Sequence, residues 1–285
     1  MHSIPRVDDI DPRQFEKDYV ARNLPVIVSR HGKLREAAAR WDFDHVAARH
    51  PGHPVAVDHF PDGNYSPPKN RKPALEQLHM TYKEYVSRIR HQDERKKLYL
   101  AEQTLREFPP DIIEDAAPPA FLGGKKTYPV IFMGIDTYSH AHYHPVRNEA
   151  VLMQMQGFKK LILIAAKDYR QWYPNPRFSW NMNWSGMPMA EDPSTLFNDP
   201  DGYQAWVRHA NQKGAYGDAV DAQTLECVIG PGEILFIPQG WFHLVYGMGE
   251  SISVTHFFRS SWRHAHPRLA LRDGLAWLLG TKHRT

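Results

Sequence analysis

Four histidines in two short segments are the residues whose type and spacing suit joint chemistry. His140, His142 and His144 lie in 139–148 (SHAHYHPVRN), and His243 ends 230–243 (GPGEILFIPQGWFH). If the first segment continues the strand that starts at Val130, alternation puts its three imidazoles on one face. Imidazoles along one face of a strand converge on borderline divalent ions such as iron, zinc or nickel. A further ligand must then come from elsewhere in the chain, and His243 is the candidate. It follows a Gly-rich turn, a strand ending in Pro238 and a tight turn at Gly240. The expected metal set is His142, His144 and His243, with His140 read as a surface or outer-lying neighbour and Glu149 as an alternative or fourth ligand.

The two segments approximate the general cupin motifs, HxH then Glu (His142, His144, Glu149) and G-x5-P-x-G-x2-H (Gly232, Pro238, Gly240, His243). The wider order is PVIV, KLYLAEQTL, SHAHYHPVRN, GFKKLIL, WYPNP, GPGEILFIPQGWFH and SISVTHFF. Over most of the chain it resembles the JmjC-like (cupin-8) 2-oxoglutarate-dependent hydroxylases, the asparaginyl hydroxylases in particular. The resemblance implies Fe(II) held by His142, His144 and His243. It implies 2-oxoglutarate with its far carboxylate on Lys159, helped by Ser139, Tyr99 and Asn148. It also implies hydroxylation of a peptide or protein side chain, with a small natural product as the other substrate class. A homodimer through the C-terminal helix, burying Leu275, Trp277 and Leu278, is implied as well. The chemistry is coherent: a carboxylate deep in an apolar barrel needs a cation and hydroxyl donors, and a three-ligand metal leaves positions open.

Two departures from the family pattern keep other readings open. His144 stands where the family has a carboxylate, so the site is three neutral imidazoles unless Glu149 reaches it. The span from His142 to Gly157 is two residues longer than the pattern, which predicts a bulge near Glu149. If the extra residues lie elsewhere, His144 is the leading ligand and Val146 stands at the carboxylate position. His256, where a pocket asparagine is common, is either another ligand or a polar neighbour. The alternatives in function are a three-His dioxygenase or isomerase that ignores 2-oxoglutarate, and a binding module that has lost catalysis.

These residues need a rigid frame. Short β-rich runs at 130–133, 151–156, 159–164, 226–229, 234–237, 242–246 and 251–258, separated by Gly and Pro turns, predict a mainly β jelly-roll, a double-stranded β-helix. Helices are expected from Asp11-Pro12 to about Arg22, after Thr81 through Tyr82, Tyr85 and Ile89, near 203–211, and after Pro267. The expected division is one domain over 1–285. It comprises a flank (1–125), a barrel core (126–262) interrupted at 172–221, and a closing helix (263–285). Trp172, Trp180, Trp184 and Trp206 either line a cleft or pack that insertion as a lid.

The net charge of +3, without a basic run, argues against nucleic-acid or membrane binding through bulk electrostatics. One cysteine, Cys227, allows no internal disulfide, and no bilayer-length apolar stretch is present. Both fit a cytoplasmic protein.

Overall fold

The computed structural model describes residues 2–61, 76–176, 179, 181–188, 190, 192–199, 201–213, 216, 219 and 222–278. Its strands are β1 (His2–Ser3), β2 (Arg6–Val7), β3 (Val26–Val28), β4 (Pro54–His59), β5 (Glu76–Thr81), β6 (Leu98–Thr104), β7 (Thr127–Ile135), β8 (Tyr138–Tyr143), β9 (Asn148–Ile164), β10 (Thr224–Ile229), β11 (Ile234–Ile237) and β12 (Phe242–Arg259). The helices are α1 (Pro12–Gln14, continued by a wider π turn, Phe15–Val20), α2 (Gly32–Ala38), α3 (Phe43–Arg49), α4 (Tyr82–Ile89), α5 (Pro110–Asp115), α6 (Pro193–Asn198), α7 (Gly202–Lys213) and α8 (Pro267–Leu278).

The helix starts follow capping chemistry. Asp11 accepts from the N–H groups of Arg13 (2.8 Å) and Gln14 (2.9 Å), with Pro12 at the first helical position. Thr81 caps α4, whose buried face is Tyr82, Tyr85, Val86 and Ile89. The Tyr85 hydroxyl donates to the Met133 carbonyl (2.5 Å) and accepts from Leu100 N–H (3.2 Å), pinning that helix to β6 and β7.

Two long antiparallel strands make the jelly-roll. The runs on either side of Gly157 are one continuous strand, β9, and those on either side of 247–250 are one strand, β12. They pair from Phe242↔Ile164 to Arg259↔Asn148, with the register shifting between Met248 and Ser253. The first half of β12 lies between β8 and β9, and its second half lies between β7 and β9. Both strands therefore belong to two sheets that wrap one interior. The bend falls at Gly157, whose φ of +67° suits glycine and where a Cβ would sit 1.9 Å from the Glu250 carbonyl oxygen. A turn signal in the sequence is here a strand corner.

The larger sheet continues through β11 to β3 and β2 on one side, and through β7 to β6, β4 and β5 on the other. Its outer face packs on the N-terminal helices through Phe15, Trp41, Tyr85, Met153 and Phe236. A second apolar cluster fills the opposite side and reaches the insertion through Leu161, Trp172, Trp206 and Phe242. Within that insertion, Trp172 is fully buried against Tyr203, Trp206 and Phe242. Trp172 and Trp206 thus pack the lid, while Trp180 lies outside the described residues.

Candidate metal centre

β8 is a separate strand after β7, not a continuation of it, and it carries a bulge. His142 pairs with His243 and Ser139 pairs with Val245, so three residues of β8 span two of β12. The extra residue inverts the alternation between Ser139 and His142. Directly paired residues share a face, so Ser139, His142, Val245 and His243 all point into the barrel. His140 does not join them. It is buried on the lid side, with Nδ1 3.2 Å from the Tyr138 hydroxyl and Nε2 3.1 Å from the Met187 carbonyl. The expectation that three consecutive alternate histidines share one face is corrected by this single inserted residue.

His142, His144 and His243 gather with one ring nitrogen each, all within 4.8 Å of one another. Donors on a single ion stand at most about 4.2 Å apart when each bond is about 2.1 Å, so small ring rotations complete the set. His142 and His243 are aimed by the same device. Nδ1 of His142 lies 2.8 Å from the His140 carbonyl, and Nδ1 of His243 lies 3.0 Å from the Trp241 carbonyl. A carbonyl only accepts, so both Nδ1 atoms carry the proton and both Nε2 lone pairs face the cluster. The His144 Nδ1 is buried with no hydrogen-bond partner among the described residues.

Burial lowers the pKa of His142; burial, with His142 adding to it, takes His144 down to about 3; and burial together with both neighbours holds His243 well below the usual range. All three are neutral imidazoles at neutral pH, the protonation state that binds metal. Trp184 stacks on His142 with ring centroids 4.8 Å apart, and Phe257 meets His144 edge-on at 5.1 Å. The donor set therefore fits a divalent ion in a dry, aromatic-walled site.

Lys159 is the second feature of the interior. It is 3% exposed, its Nζ donates to Ser253 Oγ (2.5 Å) and lies 5.3 Å from the Phe132 ring centroid. Among the described residues no carboxylate pairs with it, and burial pushes its amine down to about 7. Tyr99 packs against the same Phe132 (6.2 Å between centroids) and hydrogen-bonds Thr137 and Ser139, while burial raises its phenol. Ser139, Tyr99 and Lys159 are thus brought around Phe132 and Ser253. An unpaired buried amine among hydroxyls fits a small carboxylate ligand.

Three expected site residues lie elsewhere or at the margin. Glu149 is fully buried but one residue out of phase with the interior. It pairs with Phe258 and accepts from Gln239 N–H (2.7 Å) and Gln239 Nε2 (3.0 Å). It is not in the histidine cluster, and burial raises its carboxyl to about 7. His256 is likewise out of phase, held by Thr127 Oγ1 (3.1 Å) and the Ala116 carbonyl (2.8 Å) on the outer face. Asn148 is half-buried at the first position of β9, where its N–H closes a turn onto the Pro145 carbonyl (2.9 Å). The sequence does not single out Ser253, Phe132 or Phe257; Trp184, expected either to line a cleft or to pack the lid, stacks on His142. Among the first three only Ser253 leaves a readable signal, a hydroxyl in phase with Ser251 and Thr255.

The profile of the cupin-like domain family matches residues 12–264. This chain belongs to that family. Relatives of this cupin-like protein include the arginine-specific demethylase JMJ20 of Arabidopsis thaliana, 24% identical over 88% of this chain and 55% of that protein. The 2-oxoglutarate and iron-dependent oxygenase JMJD4 of Danio rerio is 31% identical over 33% of this chain and 27% of its own length. The tRNA wybutosine-synthesizing protein 5 of the same fish is 22% identical over 92% of this chain and 75% of that protein. The chain spans about half the length of the first of these and about a quarter of the second. No helix among the described residues is long and apolar enough to cross a membrane.

Proposed function

We propose that this cupin-like protein is an Fe(II)- and 2-oxoglutarate-dependent oxygenase that hydroxylates a peptide or protein side chain. The observation that carries the reading is Lys159, a buried amine with no carboxylate partner among the described residues, in the barrel that holds His142, His144 and His243. When bound, iron with 2-oxoglutarate and O2 supplies oxidation of a substrate C–H bond, coupled to decarboxylation of 2-oxoglutarate to succinate.

The chain's own residues prepare that chemistry. His142, His144 and His243 would hold the ion as neutral donors. Lys159, with Ser253, Ser139 and Tyr99, would bind the distant carboxylate of the cosubstrate, and the ammonium is restored when that anion enters. Trp184 against His142 and Phe257 against His144 would limit water at the bound ion. The name of the arginine-specific demethylase supports a protein substrate, and the relative named for tRNA makes RNA the class to test beside it. We further propose that residues 1–285 act as one cytoplasmic domain. They would dimerise through α8, where Leu271 and Leu278 are 63% and 71% exposed.

The test is succinate release from 2-oxoglutarate by the Fe(II)-loaded protein, abolished in His243→Ala. A second reading, a three-His dioxygenase or isomerase that ignores 2-oxoglutarate, is favoured by one observation. His144 supplies an imidazole where a carboxylate would otherwise offset the metal's charge. It predicts metal-dependent turnover unchanged in Lys159→Ala.

A further inference from the structure

Glu149 is a fully buried carboxylate that no cation pairs with among the described residues, and it lies five residues after His144. Burying such a group is costly unless hydrogen bonds satisfy it. Two of the three bonds it accepts come from one residue. The backbone N–H of Gln239 donates to Oε2 (2.7 Å) and its side-chain Nε2 to Oε1 (3.0 Å), and the Ser260 hydroxyl also donates to Oε1.

Gln239 is itself fully buried and fully used. Its Oε1 accepts from Arg147 N–H (2.5 Å), and its Nε2 also reaches Ser260 Oγ (3.0 Å) and the Ser261 carbonyl (3.1 Å). The next residue, Gly240, has a φ of +79° and donates its N–H to the His144 carbonyl (3.0 Å). Trp241 then supplies the carbonyl that orients His243. The loop from His144 to Glu149 is therefore tied to the turn before His243 at its start, its middle and its end. Arg147, in the middle, is a non-glycine residue at φ +76°, a conformation that persists only where the surroundings hold it.

We infer that Glu149 is a positioning residue for the metal centre: through Gln239 it fixes His144 against His243. The glutamate of the HxH…E motif is thus a clasp between the two ligand segments and not a ligand. This inference rests on the metal-centre reading, and on no assumption about 2-oxoglutarate or substrate. His144 needs the clasp most, since no hydrogen bond to either the His140 or the Trp241 carbonyl steadies its ring as those carbonyls steady the other two.

The experiment is titration of the metal-free full-length protein with Co(II), reading the dissociation constant and the visible d–d spectrum, with a thermal melt as the fold control. Loss of a group that orients a ligand typically costs 10–100-fold in metal affinity, so Glu149→Ala is expected to weaken Co(II) by about tenfold or more and to alter the spectrum. Glu149→Gln, which keeps an acceptor for Gln239 N–H, is expected to recover most of that loss. In a His144→Ala background, Glu149→Ala is expected to change the constant by less than about twofold, because coupled residues are non-additive. An equal loss in both backgrounds, or wild-type affinity in Glu149→Ala, overturns the inference and leaves the metal centre standing. No Co(II) binding by the wild-type protein overturns the metal-centre reading and the inference with it. Should Glu149→Ala not fold, Gln239→Asn is the milder probe. A Co(II) loss that vanishes in the His144→Ala background supports the clasp, and a loss unaffected by that background contradicts it.

Discussion

His142 and His243 are directly paired across β8 and β12, with ring centroids 4.2 Å apart, and each is aimed by the carbonyl two residues before it. A strand pair thus supplies two of the three clustered imidazoles without any loop: register sets the spacing, and the carbonyls set the tautomers. The third member, His144, enters from the end of β8, where the strand gives way to the clasped loop.

The histidines make the metal-free protein sensitive to acid. Their folded pKa values lie below the unfolded value, His144 at about 3. The unfolded state therefore binds protons first as pH falls below about 6.5, and stability present above that pH is lost toward the folded values. Urea unfolding between pH 7 and pH 4 should show this decline, with a shallower slope in His144→Ala. Divalent metal should oppose it by binding only the folded form.

In the proposed reading, Lys159 sets the pH dependence of cosubstrate binding. Its amine, held at about 7 in the free barrel, must be protonated to pair with a carboxylate, and pairing raises its pKa. Affinity for 2-oxoglutarate should therefore fall as pH rises above about 7, by up to about tenfold per unit. Calorimetry in buffers of different ionisation heat should record proton uptake on binding above that pH. A pH-independent constant from 6.5 to 9 would contradict the assignment.

Gly157 is the corner on which β9 changes sheets. Alanine there meets both a left-handed φ and the Glu250 carbonyl oxygen at 1.9 Å. Gly157→Ala should destabilise the fold by about 3 kcal/mol or more, measured by chemical denaturation. Gly52, with open space around it, should accept alanine with little change.

The C-terminal helix reaches the metal strand. Asp273 of α8 accepts from the Tyr143 hydroxyl (2.8 Å) and Val146 N–H (2.9 Å), on either side of His144. Arg272 donates to the Met182 carbonyl (2.8 Å) in the lid. Asp273→Ala strands one buried and one part-buried donor and should cost about 2–4 kcal/mol. The loss should appear both in denaturation midpoint and in faster hydrogen exchange at 143–146.

Much of this is legible in the residues themselves. His142, His243 and Lys159 are marked by type, spacing and strand phase, and the helix at Tyr82–Ile89 by its cap and apolar period. What is not legible depends on one-residue irregularities. The bulge in β8 turns His140 to the lid although its spacing from His142 is that of a shared face. Glu149 and His256 each lie one residue out of phase with the interior, which composition alone does not reveal. Trp184 comes to His142 through a short bridge from an insertion with no periodic pattern. Whether Gly157 is a turn or a corner depends on what lies across from it, here Glu250.

The proposed function has the histidine cluster and Lys159 together holding iron and 2-oxoglutarate. It is tested most directly by anaerobic titration of the apoprotein with Fe(II) and then 2-oxoglutarate, watching for the visible charge-transfer band of the chelate. The expected band saturates with cosubstrate in the wild type, is lost in His243→Ala, and requires far more 2-oxoglutarate in Lys159→Ala. Iron binding without a band, or a band indifferent to Lys159, would contradict it.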